Sequence, residues 1–348
     1  MRLPSPVSKP LLRVAPWLLP IAAVASMVEL IGGGWDIQWH IAHVPEFFWT
    51  PPHVVLYSGA GLVLLSTGAA FMLPWARRPV AGSVRSATTV AFAGAVLQFA
   101  AGGFDGAWHA TFGADDTLSP PHVFLTAAMV ITTFGILLSL HAWRRTEPME
   151  GARRTVAWLA HAVGVTAMTW ATWGLLFILL FPGLFRTDIL LNPFGLRLFT
   201  AAAFATLFPF MVLTSARVVG RRGAATVSAA AQLGGFLLIE GLMGSLNPAT
   251  LPYSALFLVP GVLADLLYRP GGRGSAYVAI ALGALVAQFA FITGGVVDDM
   301  TRPDQILAAA ALAYVAGGVV AALLAERIGE IAEGLGEGPA APPVPVAA

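Results

Sequence analysis

Long apolar runs, separated by short polar or proline-rich segments, fill most of this chain. Each run is close to the roughly 20 residues that a helix needs to cross the hydrocarbon core of a bilayer. Helices are expected because lipid offers backbone groups no hydrogen-bond partners. We therefore predict an all-α, polytopic transmembrane helical bundle. Its spans, about ten in number, lie near 15–36, 53–75, 86–105, 122–143, 155–181, 195–217, 224–245, 251–269, 275–297 and 304–326.

Composition agrees with a membrane protein and narrows its chemistry. Of the 348 residues, 57% are hydrophobic and only 11% are charged, whereas soluble domains carry about 25% charged residues. The formal net charge of +1, with no visible basic groove, argues against nucleic-acid binding. The chain has no cysteine, which excludes thiolate metal sites and iron–sulfur clusters. Any metal must be held by His, Asp, Glu, Met or backbone groups.

The loops between the predicted spans alternate in charge. One set is rich in arginine, for example Arg77, Arg78 and Arg85, and the other is acidic, for example Asp115 and Asp116. Because positive loops stay on the cytoplasmic side, both termini are predicted to be cytoplasmic and the acidic loops extracytoplasmic. We expect the protein to lie in a bacterial plasma membrane, with the lipid bilayer as its surroundings.

An ungapped internal repeat, at an offset of 69 residues, marks the first four spans. Residues 33–56 read GGWDIQWHIAHVPEFFWTPPHVVL, and residues 102–125 read GGFDGAWHATFGADDTLSPPHVFL. Each copy contains two spans, so the pattern predicts a tandem repeat of helical hairpins with both motifs at the extracytoplasmic face. We divide the chain into a cytoplasmic tail (1–14), a four-helix repeat module (15–145), a six-helix membrane module of unassigned role (146–330) and a disordered tail (331–348).

Both copies carry the same spacing of Asp, His and His. Asp36 and His40 are four residues apart at a helix end and share one face, and His53 follows a Thr-Pro-Pro segment typical of a helix start. A short loop brings these ligands together, and the second copy repeats them as Asp105, His109 and His122. Two imidazoles and a carboxylate leave coordination positions open, which suits copper, zinc or iron(II).

Further polar and aromatic residues accompany the six candidate ligands and are candidates for contact with them. A polar residue recurs before each motif, an indole lies beside each helix-end His, and an acidic residue recurs in each loop. These residues are Glu29, Trp39, Glu46, Gln98, Trp108 and Asp115. Glu240, within the seventh predicted span, is costly to bury and is a further functional candidate. A metal-free interpretation also exists, because an Asp-His hydrogen bond would satisfy both groups.

The first copy resembles a known signature. Asp36, Trp39, His40, Thr50-Pro51 and His53, with Tyr57 after them, are similar to the C subunit of the copper membrane monooxygenases, the particulate methane and ammonia monooxygenases. The resemblance covers about residues 25–140 and implies copper bound within the membrane by Asp36, His40 and His53. The second copy resembles a further site of that family, which has Asn where this chain has Asp105 and one more residue before the last His. The family subunit has fewer spans.

Two functional hypotheses follow, with a metal-free structural or proton-conducting role as a third. The first is a copper-dependent membrane oxidoreductase that oxidises a small apolar or amine substrate with O2, working with other membrane subunits or as a homo-oligomer. No electron-delivery group is recognisable in the chain. The alternative is a membrane copper or zinc handling or transport protein that uses the same ligands without O2 chemistry.

Overall fold

A computed structural model describes most of the chain. The described residues are 9–41, 49–72, 82–112, 119–146, 149–180, 205–246, 251–269 and 307–334, with the single residues 248, 277, 280 and 283. Within these ranges the chain is helical and contains no strand. The all-helical prediction is therefore confirmed for the described residues.

Nine longer helices are described with continuous bounds, and a four-residue helix, Leu251–Ser254, leads directly into the eighth of them. They are α1 (Lys9–Ile41), α2 (Pro51–Met72), α3 (Gly82–Phe112), α4 (Pro120–Thr146), α5 (Gly151–Leu180), α6 (Ala205–Val219), α7 (Ala224–Leu242), α8 (Ala255–Leu267) and α9 (Leu307–Gly334). The last turn of α6 widens to a π-helix, and Gly220, with a φ of +63°, ends it in the left-handed conformation.

Five of these helices are long and apolar enough to cross a membrane. They are α1, α2, α3, α4 and α7, whereas α6 and α8 are apolar but shorter. Helices α1 and α3 extend beyond the predicted spans, because their ends carry the less apolar motif residues: α1 continues past residue 36 to Ile41, and α3 past residue 105 to Phe112. The described part of α2 ends at Met72, and α7 ends earlier than predicted, at Leu242. The predicted span at 275–297 lies outside the described residues, apart from three single positions.

The distribution of exposed side chains fits an apolar surrounding. Leu65 is 70% exposed and Leu323 is 64% exposed, whereas Glu29, Gln98 and Asp105 are only 1–2% exposed. Apolar residues on the outside and polar residues inside are expected where lipid, not water, surrounds the helices. Exposure and helix composition therefore agree on a membrane protein.

The first four helices pack as two close antiparallel pairs, α1 with α2 and α3 with α4. Small residues permit the close approach. A Cβ atom added at Gly59 of α2 would meet the backbone of Glu29, and one added at Gly135 of α4 would meet the backbone of Ala91. Helix α5 lies against both α1 and α4, and α7 packs on α5. The helices beyond the repeat thus contact the two pairs directly.

A cluster of charged groups joins the helices at the end of α4 opposite His122. The Arg144 guanidinium lies 2.6 Å from Nδ1 of the fully buried His161 and donates to the carbonyl oxygen of Val219 at 3.1 Å. Arg144 therefore connects α4, α5 and the C-terminus of α6. Arg217 of α6 donates to Glu333 at 2.6 Å, and this hydrogen bond lowers the pKa of the Glu333 carboxyl.

Candidate metal centre

The second motif is assembled where α3 ends and α4 begins. Asp105 and His109 lie one turn apart near the end of α3, and His122 is the third residue of α4. The backbone N–H of His122 donates to Oγ of Ser119 at 3.5 Å, and that of Val123 donates to the Ser119 carbonyl oxygen at 3.1 Å. Ser119 therefore occupies the N-cap position of α4, as the sequence predicts, with a long contact from its Oγ to the His122 N–H and a backbone hydrogen bond that starts the helix.

The three side chains present their ligand atoms to one another. Oδ1 of Asp105 lies 3.7 Å from Nε2 of His109 and 3.5 Å from Nε2 of His122. One ligand atom from each of the three residues falls within 4.8 Å of the other two. Metal–ligand bonds of about 2.0–2.1 Å at tetrahedral angles place neighbouring ligand atoms about 3.4 Å apart. The observed spacing suits a single ion shared by the three residues.

Burial gives the Asp105 carboxylate a strong need for a partner. Asp105 is 2% exposed, and its Oδ1 accepts no hydrogen bond from the described residues. Distances of 3.5 and 3.7 Å are too long for good hydrogen bonds to the two imidazoles. A cation between the three atoms would compensate the cost of burying this oxygen. The cluster can therefore hold a metal ion.

The first motif brings together the ends of α1 and α2. Oδ1 of Asp36 lies 3.2 Å from Nε2 of His53, and the two residues are 9% and 6% exposed. The backbone of His40 lies on α1, one turn after Asp36. The His40 side chain lies outside the described residues, as do the loop acids Glu46 and Asp115. For the first motif the structure therefore places two of the three predicted ligands.

The start of α2 differs in one respect from the predicted cap. Helix α2 begins at Pro51, and the Val54 N–H donates to the Thr50 carbonyl oxygen at 3.0 Å. However, the buried Thr50 hydroxyl forms no hydrogen bond with any described residue. Pro51 and Pro52 have no N–H to offer in the first turn, so the backbone alone defines this helix start.

The two tryptophans that occupy the same place in both copies of the repeat pack against aromatic residues of their own helices. Trp39 packs edge-on against Trp35 at a centroid distance of 6.2 Å. Trp108 lies between Phe104 and Phe112, at 5.9 and 4.5 Å. These contacts describe an aromatic layer around the helix ends, of the kind found at membrane interfaces.

Glu29 and Gln98 occupy equivalent places in the two pairs. Each is 1% exposed, and neither side chain forms a hydrogen bond with another described residue. Glu29 precedes Asp36 by seven residues, about 10 Å along the helix axis. It is therefore too far along α1 to bind an ion held at Asp36.

Tyr57 is a functional candidate beyond the predicted ligand set. Its hydroxyl donates to Oδ2 of Asp105 at 3.2 Å, and its ring centroid lies 5.8 Å from that of His53. The signal in the sequence is its place one turn after His53, on the same face of α2. The resemblance includes this tyrosine, but the repeat gives it no counterpart, because the second copy has Thr126 there.

A pocket of about 280 Å³ connects the two motifs. Asp36 and His122, one residue from each motif, line it on one side. Its other walls include Trp170 and Trp173 of α5 with Phe236 and Ile239 of α7. Ligand pockets commonly have volumes of about 300–1,000 Å³ and mostly apolar walls. This pocket is of a size for a small molecule.

Glu240 of α7 forms a hydrogen bond with Gln38 of α1, which lines this pocket. Its Oε1 accepts a hydrogen bond from Gln38 at 3.3 Å, and its other carboxylate oxygen accepts one from the hydroxyl of Ser245. Glu240 therefore positions the α7 wall against α1, and its carboxylate is already engaged.

Comparison with protein families, with curated proteins and with solved structures found no match in any of the three.

Proposed function

We propose that this chain is an integral membrane protein that binds one copper ion at each Asp-His-His motif. The observation that carries the proposal is the buried triangle formed by Asp105, His109 and His122. Copper is favoured because the first motif resembles the copper-binding signature of the membrane monooxygenases, and its imidazole ligands suit that metal. Asp36, His40 and His53 form the equivalent first site. Zinc or iron remains the alternative occupant that direct analysis would reveal.

The surrounding architecture completes the proposal. The chain crosses a bacterial plasma membrane about ten times, with cytoplasmic termini, and its first four helices form a tandem repeat of hairpins with both motifs near the extracytoplasmic face. The two close helix pairs and the ungapped sequence repeat support this arrangement. Helices from the second half of the chain supply walls to the pocket beside the motifs.

We further propose that the pair of sites serves an oxidation with O2, as the resemblance to the copper membrane monooxygenases implies. Bound copper would supply the redox centre. Asp and His residues would hold it, and the apolar pocket would bind a small substrate and exclude water. The aromatic and aliphatic walls favour an apolar substrate over an amine. Oxygen insertion needs two external electrons from a reductant, which another membrane subunit would deliver, since no electron-delivery group is recognisable in this chain.

The alternative is a membrane copper or zinc handling protein. It would use the same ligands, and the pocket would have no substrate. A transport pathway needs polar groups across the bilayer, and Glu29 and Gln98, both buried and without described partners, are the candidates. The mostly apolar pocket beside the two motifs favours the oxidoreductase.

Metal content tests the proposal. The protein, purified in mild detergent without chelators, should contain close to two copper ions per chain by elemental analysis. His40→Ala and His109→Ala should each lose one ion. His141→Ala, which removes an imidazole from α4 outside both motifs, should retain two. Zinc at the same stoichiometry would favour the handling protein, and a protein that binds neither metal after a challenge would overturn the proposal.

A further inference from the structure

Tyr57 belongs to the helix of the first motif but contacts a ligand of the second. It lies one turn after His53 on α2, and its ring is tilted against the His53 imidazole with centroids 5.8 Å apart. Its hydroxyl reaches across to α3 and donates to Oδ2 of Asp105 at 3.2 Å. Tyr57 therefore contacts both motifs at once.

The hydrogen bond acts on the orientation of the Asp105 carboxylate. Oδ1 faces the two imidazoles of its own motif, and Oδ2 accepts a hydrogen bond from the Tyr57 hydroxyl. With Oδ2 held, the carboxylate plane is fixed and Oδ1 stays directed at the Nε2 atoms of His109 and His122. Groups that hydrogen-bond to a ligand in this way commonly change metal affinity by 10–100-fold when they are removed.

The backbone of α3 is shaped to admit the Tyr57 ring. Gly102 lies three residues before Asp105, and a Cβ atom there would come within 2.8 Å of Cε1 of Tyr57 and 3.4 Å of its Cζ. The first copy of the repeat has Gly33 at this place, facing the side chain of Leu56 at 3.6 Å. Of these two equivalent glycines, only Gly102 on α3 leaves room for a tyrosine ring.

The arrangement is not reciprocal between the two copies. Thr126 stands at the position equivalent to Tyr57, and its hydroxyl donates to the carbonyl oxygen of His122 at 2.7 Å, within its own helix. A threonine side chain is also too short to reach across to α1. The second motif therefore accepts a hydrogen bond from Tyr57 of the first helix pair, whereas the Thr126 hydroxyl bonds within its own helix and not to the first motif.

We infer that Tyr57 is a positioning residue for the second metal site, so that this site is completed by the first hairpin. The inference rests on the proposed function, because it assumes an ion at Asp105. It gives the two halves of the repeat different roles: the second motif binds its ion with full affinity only when α2 is seated against α3.

Single-site backgrounds allow the effect at each motif to be measured separately. In the full-length His40→Ala protein the remaining copper lies at Asp105, and in His109→Ala it lies at Asp36. Tyr57→Phe is added to each, since it keeps the ring and removes only the hydroxyl. Copper affinity is measured by competition with a chelator of known affinity, together with the Cu(II) electron paramagnetic resonance spectrum. Tyr314→Phe, the same change at a fully buried tyrosine of α9, is the matched control.

The expected result is selective. Tyr57→Phe lowers copper affinity about 10-fold in the His40→Ala background and changes its spectrum, whereas the affinity in the His109→Ala background is unchanged. Tyr314→Phe changes neither. Equal affinity with and without the Tyr57 hydroxyl at Asp105 overturns the inference while leaving the two-site proposal intact, and so does an equal loss at both motifs. A wild-type chain that binds no copper removes the proposed function and the inference with it.

Discussion

Asp105 combines three features in one residue: nearly complete burial, two imidazoles facing one oxygen and a tyrosine hydroxyl on the other. The cost of leaving a buried polar group without a partner is about 1–3 kcal/mol, and more for a charged group. In the metal-free protein, Oδ1 therefore destabilises the fold, and a bound cation reverses the sign of its contribution.

Asp105→Asn should separate these two effects. The amide is neutral and close in shape, so the metal-free variant should unfold in detergent at a temperature equal to or above that of the wild type. Added copper should raise the unfolding temperature of the wild type, because the ion binds only the folded state. In the variant this rise should be smaller, because only the first site still contributes fully. A variant whose copper-dependent shift equals that of the wild type would show that the negative charge of Asp105 is not needed to bind the ion.

Sequence reasoning at this scale predicted the cluster of candidate ligands and missed its hydrogen bond to Tyr57. The identities and spacing of Asp105, His109 and His122 predict a cluster, because i and i+4 positions share a helix face. The contact between Tyr57 and Asp105 depends on how α2 lies against α3, which no local spacing specifies. In the sequence, the one-sided hydrogen bond from α2 to α3 corresponds to a single difference, Tyr57 in the first copy and Thr126 in the second.

At the scale of the helices, the close approach of each pair fixes the distance between its ligands. Apolar length alone predicts that α1–α5 exist, and proline pairs predict where α2 and α4 begin. The exact ends are less predictable, because α1 and α3 continue through motif residues that an apolar scale treats as a boundary. The Thr50 side chain shows the same limit, since a capping residue type does not guarantee a capping hydrogen bond.

Gly135→Ala should disturb the second site through the helices. The added Cβ would overlap the backbone of Ala91, and the resulting separation of α3 from α4 should cost about 1–3 kcal/mol. We expect a lower unfolding temperature in detergent and loss of copper from the second site.

Gly103→Ala supplies the control for this change. It lies on α3 with nothing within 4 Å of the added Cβ, so it should keep both ions and gain a little helix stability. If Gly135→Ala keeps its copper and its stability, the close approach is not needed for the site.

For the molecule as a whole, the pocket explains why the helices beyond the repeat matter. Hydropathy predicts that α5 and α7 are apolar, but it does not predict that they enclose a space beside Asp36 and His122. Such enclosure depends on long-range packing, to which residues 25–140 and residues beyond 140 both contribute. The contribution of α5 and α7 to the pocket is therefore visible only in the assembled fold.

Gly174→Leu should fill this pocket without touching the ligands. Gly174 lines the pocket, and a Cβ atom added there meets nothing within 4 Å. Copper content should stay near two ions per chain. A small apolar probe, fluorobenzene, should lose the fast ¹⁹F relaxation that nearby Cu(II) causes in the wild type.

Gly241→Leu is the comparison for the pocket variant, because Gly241 is equally open but does not line the pocket. It should relax fluorobenzene as the wild type does. Identical relaxation in the wild type, Gly174→Leu and Gly241→Leu would show that the pocket takes no apolar guest.

The contact between Gly59 and the backbone at Glu29 also constrains how the chain is made. A single α1 helix in lipid would present the Glu29 carboxyl to hydrocarbon, at a cost of several kcal/mol, and Gly59 of α2 lies against that same turn of α1. Release of the first helix into lipid before the second has been synthesised is therefore energetically unfavourable. Biogenesis should proceed in steps of two helices, with the nascent hairpin and not the single segment as the unit released into the bilayer.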